Sequence, residues 1–257
     1  MTRVTVENVW KVYGDQTVLE NVNLEIEPGS FIALVGPSGC GKSTFLRMML
    51  GDEAPSRGRI LLDGEELDAE PSPDRGVVFQ KYSVFPHLTA LQNVMLGLEF
   101  AASPVMGRLF GKAKRKAKAE ALDMLTCVGL GHAVHKYPSE LSGGMQQRLA
   151  IAQALIKKPK ILLLDEPFGA LDPGIRAEVH EILLRLWRDE GMTVFMVTHD
   201  LSEAFKLGTR VIAFDRVRTR PEERKAYGAT VTFDLKVDGK SVPPRPEMRD
   251  VLAAAAQ

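Results

Sequence analysis

With 257 residues, 45% of them hydrophobic, the chain can bury the core of one large α/β domain, alone or with a small appendage. Lys plus Arg and Asp plus Glu number 33 each, so the basic excess of a dedicated nucleic-acid binder is missing. Only two cysteines, Cys40 and Cys127, are present, which excludes a disulfide framework and cysteine metal spacing and points to a reducing cytoplasm. The first seven residues carry no apolar stretch of the secretory-signal kind, and no apolar run approaches the roughly 20 residues of a membrane span. Any membrane role is expected to come through a partner.

In chain order, residues 4–12 are dominated by β-branched side chains and predict a strand. Residues 18–26 alternate apolar and polar residues as a second, half-buried strand. Residues 31–35 form a continuous apolar run of the kind found in buried parallel strands. A glycine-rich loop follows, then a helix over 42–50. Residues 59–62 with the Asp63-Gly64 turn read as an antiparallel hairpin, and 76–80 as a short strand. From about 91 to 155 the spacing is helical, most clearly over 119–128 and 145–156. Strands return at 161–164, 193–198 and 211–214, with an amphipathic helix over 179–187. This alternation predicts an α/β fold with a mainly parallel sheet covered on both faces and a helical insert. Val231, Phe233, Leu235 and Val237 alternate as one terminal strand, and Pro243, Pro244 and Pro246 predict an irregular end.

Gly36-Pro37-Ser38-Gly39-Cys40-Gly41-Lys42-Ser43 fits the phosphate-loop pattern between a buried strand and a helix, the context that pattern requires. Glycines let the backbone wrap an anion, and successive N–H groups at the helix start face it. Lys42 is expected to reach the β- and γ-phosphates of ATP, the Ser43 hydroxyl to ligate Mg²⁺, and Thr44 to add a phosphate hydrogen bond. Cys40 fills space inside the loop.

Residues 161–166 form an apolar strand that ends in two acids. Asp165 at the tip is expected to hold Mg²⁺, and Glu166 to orient or deprotonate the attacking water. Leu141-Ser142-Gly143-Gly144-Met145-Gln146-Gln147-Arg148 places a serine and two glycines at a helix start, which makes a second anion cradle or a plain N-cap.

This last segment resembles the signature motif of the ABC ATPases. The resemblance covers residues 4–214 and implies further roles. Tyr13 resembles the aromatic that stacks on adenine, with Trp10 as the alternative. Gln80 stands at the position of the glutamine loop, a ligand of Mg²⁺. Asp172 ends a stretch, 169–172, that resembles the D-loop. His199 resembles the switch histidine on the γ-phosphate. The family implies a P-loop NTPase core with an antiparallel β subdomain and a helical subdomain at about 88–155, together spanning 1–214, with 215–257 as a short extension. It implies a head-to-tail homodimer in which each ATP lies between one phosphate loop and the other subunit's signature, a place on the cytoplasmic face of the membrane, transmembrane permease partners, and indirectly a solute-binding protein. No nucleic-acid partner is expected.

Residues 78–80, 166–172 and 196–200 resemble importers of the nitrate, sulfonate and taurine type. Residues 226–231 resemble a subgroup associated with urea- or guanidine-carboxylase systems. The basic stretch between Ser103 and Ala119 reads as a solvated helix face, with contact to anionic lipid as the alternative. Tyr82, Val84, Phe85 and Leu88 are apolar residues set close after Gln80 and are expected to meet a helix of the permease. The rival class is a non-transport ABC ATPase acting on nucleic acid or ribosomes. DNA-repair members carry long coiled coils and translation members two cassettes, and this chain has neither pattern.

Overall fold

The computed structural model describes residues 2–80, 84–102, 109–218 and 226–237, omitting the side chain of Ala102. In chain order the strands are β1 (Val4–Tyr13), β2 (Gln16–Ile26), β3 (Phe31–Val35), β4 (Arg57–Leu62), β5 (Glu65–Glu66), β6 (Arg75–Val78), β7 (Ile161–Asp165), β8 (Thr193–Val197), β9 (Arg210–Asp215) and β10 (Thr230–Lys236). The helices are α1 (Lys42–Leu50), α2 (Ala90–Ala102), α3 (Gly111–Cys127), α4 (Gly143–Leu155), α5 (Pro173–Glu190) and α6 (Leu201–Leu207). The chain divides into two units, Met1–Ser72 with Gly191–Gln257, and Pro73–Glu190.

In the first unit the alternating apolar residues of β1 and β2, among them Val4, Val6, Leu19 and Val22, are buried. These strands pair antiparallel from Val4 opposite Ile26 to Tyr13 opposite Gln16, with register shifts between Val6 and Val12. β4 adds to the other edge of β1, and Asp63 at φ 53° opens the two-residue turn into β5. All five residues of β3 are buried, because β3 has a parallel neighbour on each side, β8 and β9. β10 closes against β9 antiparallel. Residues 226–229 also hydrogen-bond β2, Glu20 N to Ala229 O at 2.9 Å and Ala229 N to Val18 O at 2.9 Å. The described part of the expected extension is therefore built into the first unit. Residues 219–225 and 238–257, including Pro243, Pro244 and Pro246, lie outside the described residues.

In the second unit β6 and β7 run parallel, and α2, α3 and α4 pack on one another. The helical insert at 88–155 falls within this unit, which also holds β6, β7 and α5. The described part of the basic stretch falls on the exposed first half of α3, with Lys112, Lys114, Arg115, Lys116 and Lys118 toward solvent and Ala117, Ala121 and Leu125 buried, whereas residues 103–108 lie outside the described residues. Gln147 on α4 is fully buried, and neither atom of its amide has a partner among the described residues.

α1 is held by Phe45, fully buried, whose ring centroid lies 6.3 Å from that of Phe195 on β8 and 5.4 Å from that of Phe214 on β9. Phe45 thus fixes the helix that carries Lys42 and Ser43. Phe45→Ala should cost about 3–5 kcal/mol of stability, by lost transfer and by the cavity left behind. Urea unfolding measures this, and a midpoint unchanged from wild type would remove Phe45 from that role.

Candidate functional site

The phosphate loop leaves the end of β3. A Cβ on Gly36 would lie 2.1 Å from the carbonyl oxygen of Phe214, so no side chain fits there. Gly41 is the N-cap of α1 in the left-handed conformation, and the first turn has neither a side-chain cap nor an acidic residue. A helix start with neither favours an anion at its N-terminus. The Lys42 ammonium is 7% exposed and donates to the carbonyls of Gly36 at 2.7 Å and Pro37 at 2.8 Å. It also approaches Cys40 Sγ at 3.5 Å, and no carboxylate pairs with it among the described residues. A buried cation with only neutral acceptors suits an arriving polyanion such as a triphosphate. Ser38 and Gly39 at the top of the loop are exposed. Cys40 is 3% exposed, and burial pushes its thiol up despite the nearby Lys42 charge.

Tyr13 lies beside this loop. Its phenol donates to Glu53 and is also hydrogen-bonded with Thr44 on the first turn of α1. Burial, then the hydrogen bond and charge of Glu53, raise the phenol above its ordinary value. Burial pushes the Glu53 carboxyl up, but hydrogen bonds from Tyr13 and Lys11, the Lys11 charge and a hydrogen bond from Arg47 outweigh it and hold the carboxyl low. Tyr13 is 44% exposed, whereas Trp10 donates its ring N–H to Asn8 Oδ1 at 2.9 Å. The exposed ring beside the loop is therefore Tyr13. Sequence reasoning missed Glu53, which lies forty positions away with no motif of its own.

His199 follows β8, and Leu34 opposite Val197 means that β3 and β8 release the phosphate loop and His199 at the same edge. The turn is fixed from behind. Thr198 Oγ1 donates to the buried Glu203 carboxylate at 2.6 Å and accepts from Asp200 N at 3.1 Å, while Asp200 Oδ1 caps α6 through Glu203 N at 3.2 Å. His199 itself is exposed.

The second unit holds the remaining expected residues. Asp165 ends β7, and Glu166 follows at φ 46°, a left-handed conformation uncommon outside glycine and typical of functional sites. Gln80 Nε2 donates to Glu166 Oε2 at 3.1 Å, so these two residues are brought together. β6 ends at Val78, two residues before the expected boundary, which leaves Phe79 and Gln80 exposed after the strand. Ser142 caps α4, its Oγ accepting from Met145 N at 3.3 Å, and Ser142 and Gly143 are exposed. Gly144 is different. A Cβ there would meet Ile175 Cγ2 at 2.1 Å, so this glycine serves the close packing of α4 on α5. Asp172 is exposed just before α5, its carbonyl accepting from Arg176 N at 2.8 Å. Phe85 is 43% exposed, Val84 and Leu88 are half-buried, and Tyr82 lies outside the described residues.

Ser43 in the first unit, and Gln80 and Asp165 in the second, each carry the hard oxygen donor that Mg²⁺ takes. No group of three or more His, Cys, Asp or Glu that could hold a metal occurs among the described residues. Few protein ligands completed by phosphate oxygens match the way Mg²⁺ is usually bound.

The family model for ABC transporters matches residues 19–169. The bicarbonate transport ATP-binding protein CmpD of Synechocystis is 46% identical over 213 residues, covering 81% of this chain and 73% of that protein. The Fe(3+) ions import ATP-binding protein FbpC of Brucella abortus is 44% identical over 211 residues, covering 81% of this chain and 57% of that one. The sulfate/thiosulfate import ATP-binding protein CysA of Thermosynechococcus vestitus is 44% identical over 216 residues, 83% of this chain and 61% of that one. The chain thus spans less than two thirds of the iron and sulfate relatives. Among solved structures, the dimeric post-hydrolysis state of the ATP-binding cassette MJ0796 bound to ADP and Pi matches at TM-score 0.73 and 33% identity, covering 92% of this chain and all of that one.

Lys42→Ala removes the one buried cation of the loop. Affinity for a fluorescent ATP analogue should fall at least about tenfold, and phosphate release should drop to background. Near-normal turnover by the purified variant would refute the phosphate-loop assignment.

Proposed function

The chain belongs to the ABC transporter family, and from that membership we propose that it is the ATP-binding, ATP-hydrolysing subunit of a membrane importer, working as a head-to-tail dimer on the cytoplasmic face beneath permease subunits. Among the described residues no helix is long and apolar enough to cross a membrane, which is consistent with a membrane role exercised through partners.

The observation that carries the hydrolytic reading is Glu166, held left-handed at the end of β7 with Gln80 on its carboxylate. A glutamate so placed accepts the proton of an attacking water while its backbone stays fixed. Lys42 and the first-turn amides of α1 bind the β- and γ-phosphates, Tyr13 stacks on the base, and His199 contacts the γ-phosphate. Ser43, Gln80 and Asp165 are the residues that would hold Mg²⁺, which would supply positive charge to the phosphates. Ser142 and Gly143 of one subunit and Asp172 beside them face the nucleotide of the other. That accounts for an exposed helix N-terminus whose only cap is Ser142.

Import is supported by relatives named for bicarbonate, Fe(3+) and sulfate or thiosulfate uptake. Within that class we favour a solute of the nitrate, sulfonate and taurine type or a small organic nitrogen compound, on the stretches quoted from the sequence. Solute choice rests with the permease and solute-binding subunits. The exposure of Phe85 in the loop after Gln80 supports its meeting a helix of the permease.

Glu166→Gln should bind ATP within a few-fold of wild type yet hydrolyse it at least about a hundredfold more slowly, because the amide fills the same space without accepting the proton. It should accumulate as an ATP-bound dimer in light scattering, and a protein that stays monomeric with MgATP would count against the sandwich. Phe85→Ala should abolish solute uptake in cells and weaken cross-linking to the permease from cysteines at Val84 and Leu88. Unchanged uptake together with unchanged cross-linking sinks the docking role.

A further inference from the structure

Asn93, in the first turn of α2, is 1% exposed, and every hydrogen-bonding position of its side chain is used. Oδ1 accepts from the Phe85 backbone N–H at 2.8 Å and from Gln153 Nε2 at 3.1 Å. Nδ2 donates to the carbonyls of Phe85 at 3.1 Å, Leu88 at 2.9 Å and Thr89 at 3.0 Å. A primary amide has two donor hydrogens and an oxygen with two lone pairs. Here two hydrogens are shared over three carbonyls and both lone pairs are engaged. Aspartate has no donor for the carbonyls, and glutamine is one methylene too long for the same fit. The backbone of residues 85–89 is thus tied to one side chain.

The fifth contact leads elsewhere. Gln153 belongs to α4, and its Nε2 also donates to the Asn93 backbone carbonyl at 3.3 Å. At about 1.5 Å rise per residue, Gln153 lies roughly 16 Å along the helix from Ser142 at the N-cap. A helix moves as a rod over that distance. A displacement of its N-terminus therefore reaches Gln153, and a bond of 3.1 Å tolerates only a few tenths of an ångström before it breaks or drags its partner.

We propose that Asn93 and Gln153 are positioning residues that link the helix carrying Ser142 to the loop carrying Phe85. Engagement of Ser142 by nucleotide shifts α4, and the Gln153–Asn93 contact passes that shift to residues 84–89. The trigger rests on the head-to-tail reading given above, whereas the link itself lies within one unit of one chain. It needs a two-ended contact with two arrangements, not a continuous pathway.

Hydrogen exchange of the full chain separates this from a purely structural asparagine. In the Glu166→Gln protein, addition of MgATP should change exchange of the 84–89 amides by at least about threefold. Adding Gln153→Met keeps the Asn93 bonds to Phe85, Leu88 and Thr89 and removes only the tie to α4. The 84–89 amides should then be as protected without nucleotide as before, while their response to MgATP falls below about 1.5-fold. Asn93→Asp should deprotect the same amides with or without nucleotide. A MgATP response of full size in the Gln153→Met protein overturns the proposal, as does a dimer that forms with no change at 84–89. Failure of the Glu166→Gln protein to dimerise, seen in parallel light scattering, would overturn the head-to-tail reading and the trigger with it.

Discussion

The Lys42 ammonium lies 2.7 and 2.8 Å from two backbone carbonyls, nearly out of water, with no carboxylate to neutralise it among the described residues. Such a cation is costly unless an anion arrives, and the surroundings are arranged so that one can. Gly36 must stay bare because Phe214 O occupies the space of its Cβ. α1 begins without an acid or a side-chain cap, and Phe45 locks that helix to β8 and β9. The burial of β3 between two parallel neighbours gives the loop a stem that cannot yield. Each feature has its own local cause, yet each would be idle or harmful if the loop stood empty throughout the life of the protein.

The two units divide the chemistry. The first contains the loop, Tyr13 pinned by Glu53, and His199 on a turn braced by Thr198 and Glu203, the groups proposed to hold nucleotide. The second contains Glu166 with Gln80, the Ser142 helix start, and the loop at Phe85, the groups proposed to serve hydrolysis and partner contact. In the second, strained backbone, exposed caps and side-chain amides recur, and these are elements that two arrangements can share.

Residues with strong local chemistry were legible in the sequence. The run 31–35 and the helix 42–50 fall where their apolar pattern and glycine punctuation put them. Boundaries failed where the pattern was weak. α6 is only seven residues long and gave no periodic signal, although Asp200 caps it. α5 starts at Pro173, a residue well suited to a first helical position, while the apolar stripe begins only at Val179. α3 reaches back to Gly111 because alanine and lysine are good helix formers that bury little. At the candidate site, the pairing of Gln80 with Glu166 joins two residues that the sequence singles out separately. Glu53, Glu203 and Asn93 are not singled out, since a side chain that braces another from a distant segment leaves no local trace. The close approach of Ile175 to the bare face of Gly144 is a contact that no spacing discloses.

Gln147 is buried on α4 with both ends of its amide unmatched among the described residues. Desolvating such a group without compensation costs about 1–3 kcal/mol, and an apolar side chain of similar volume would recover it. The fold therefore carries a weakness that a single codon change could repair. In a laboratory selection for heat resistance, position 147 would be among the first to drift toward leucine or methionine. Lineages that keep the amide under such pressure would identify it as something the working cycle uses and the resting state does not.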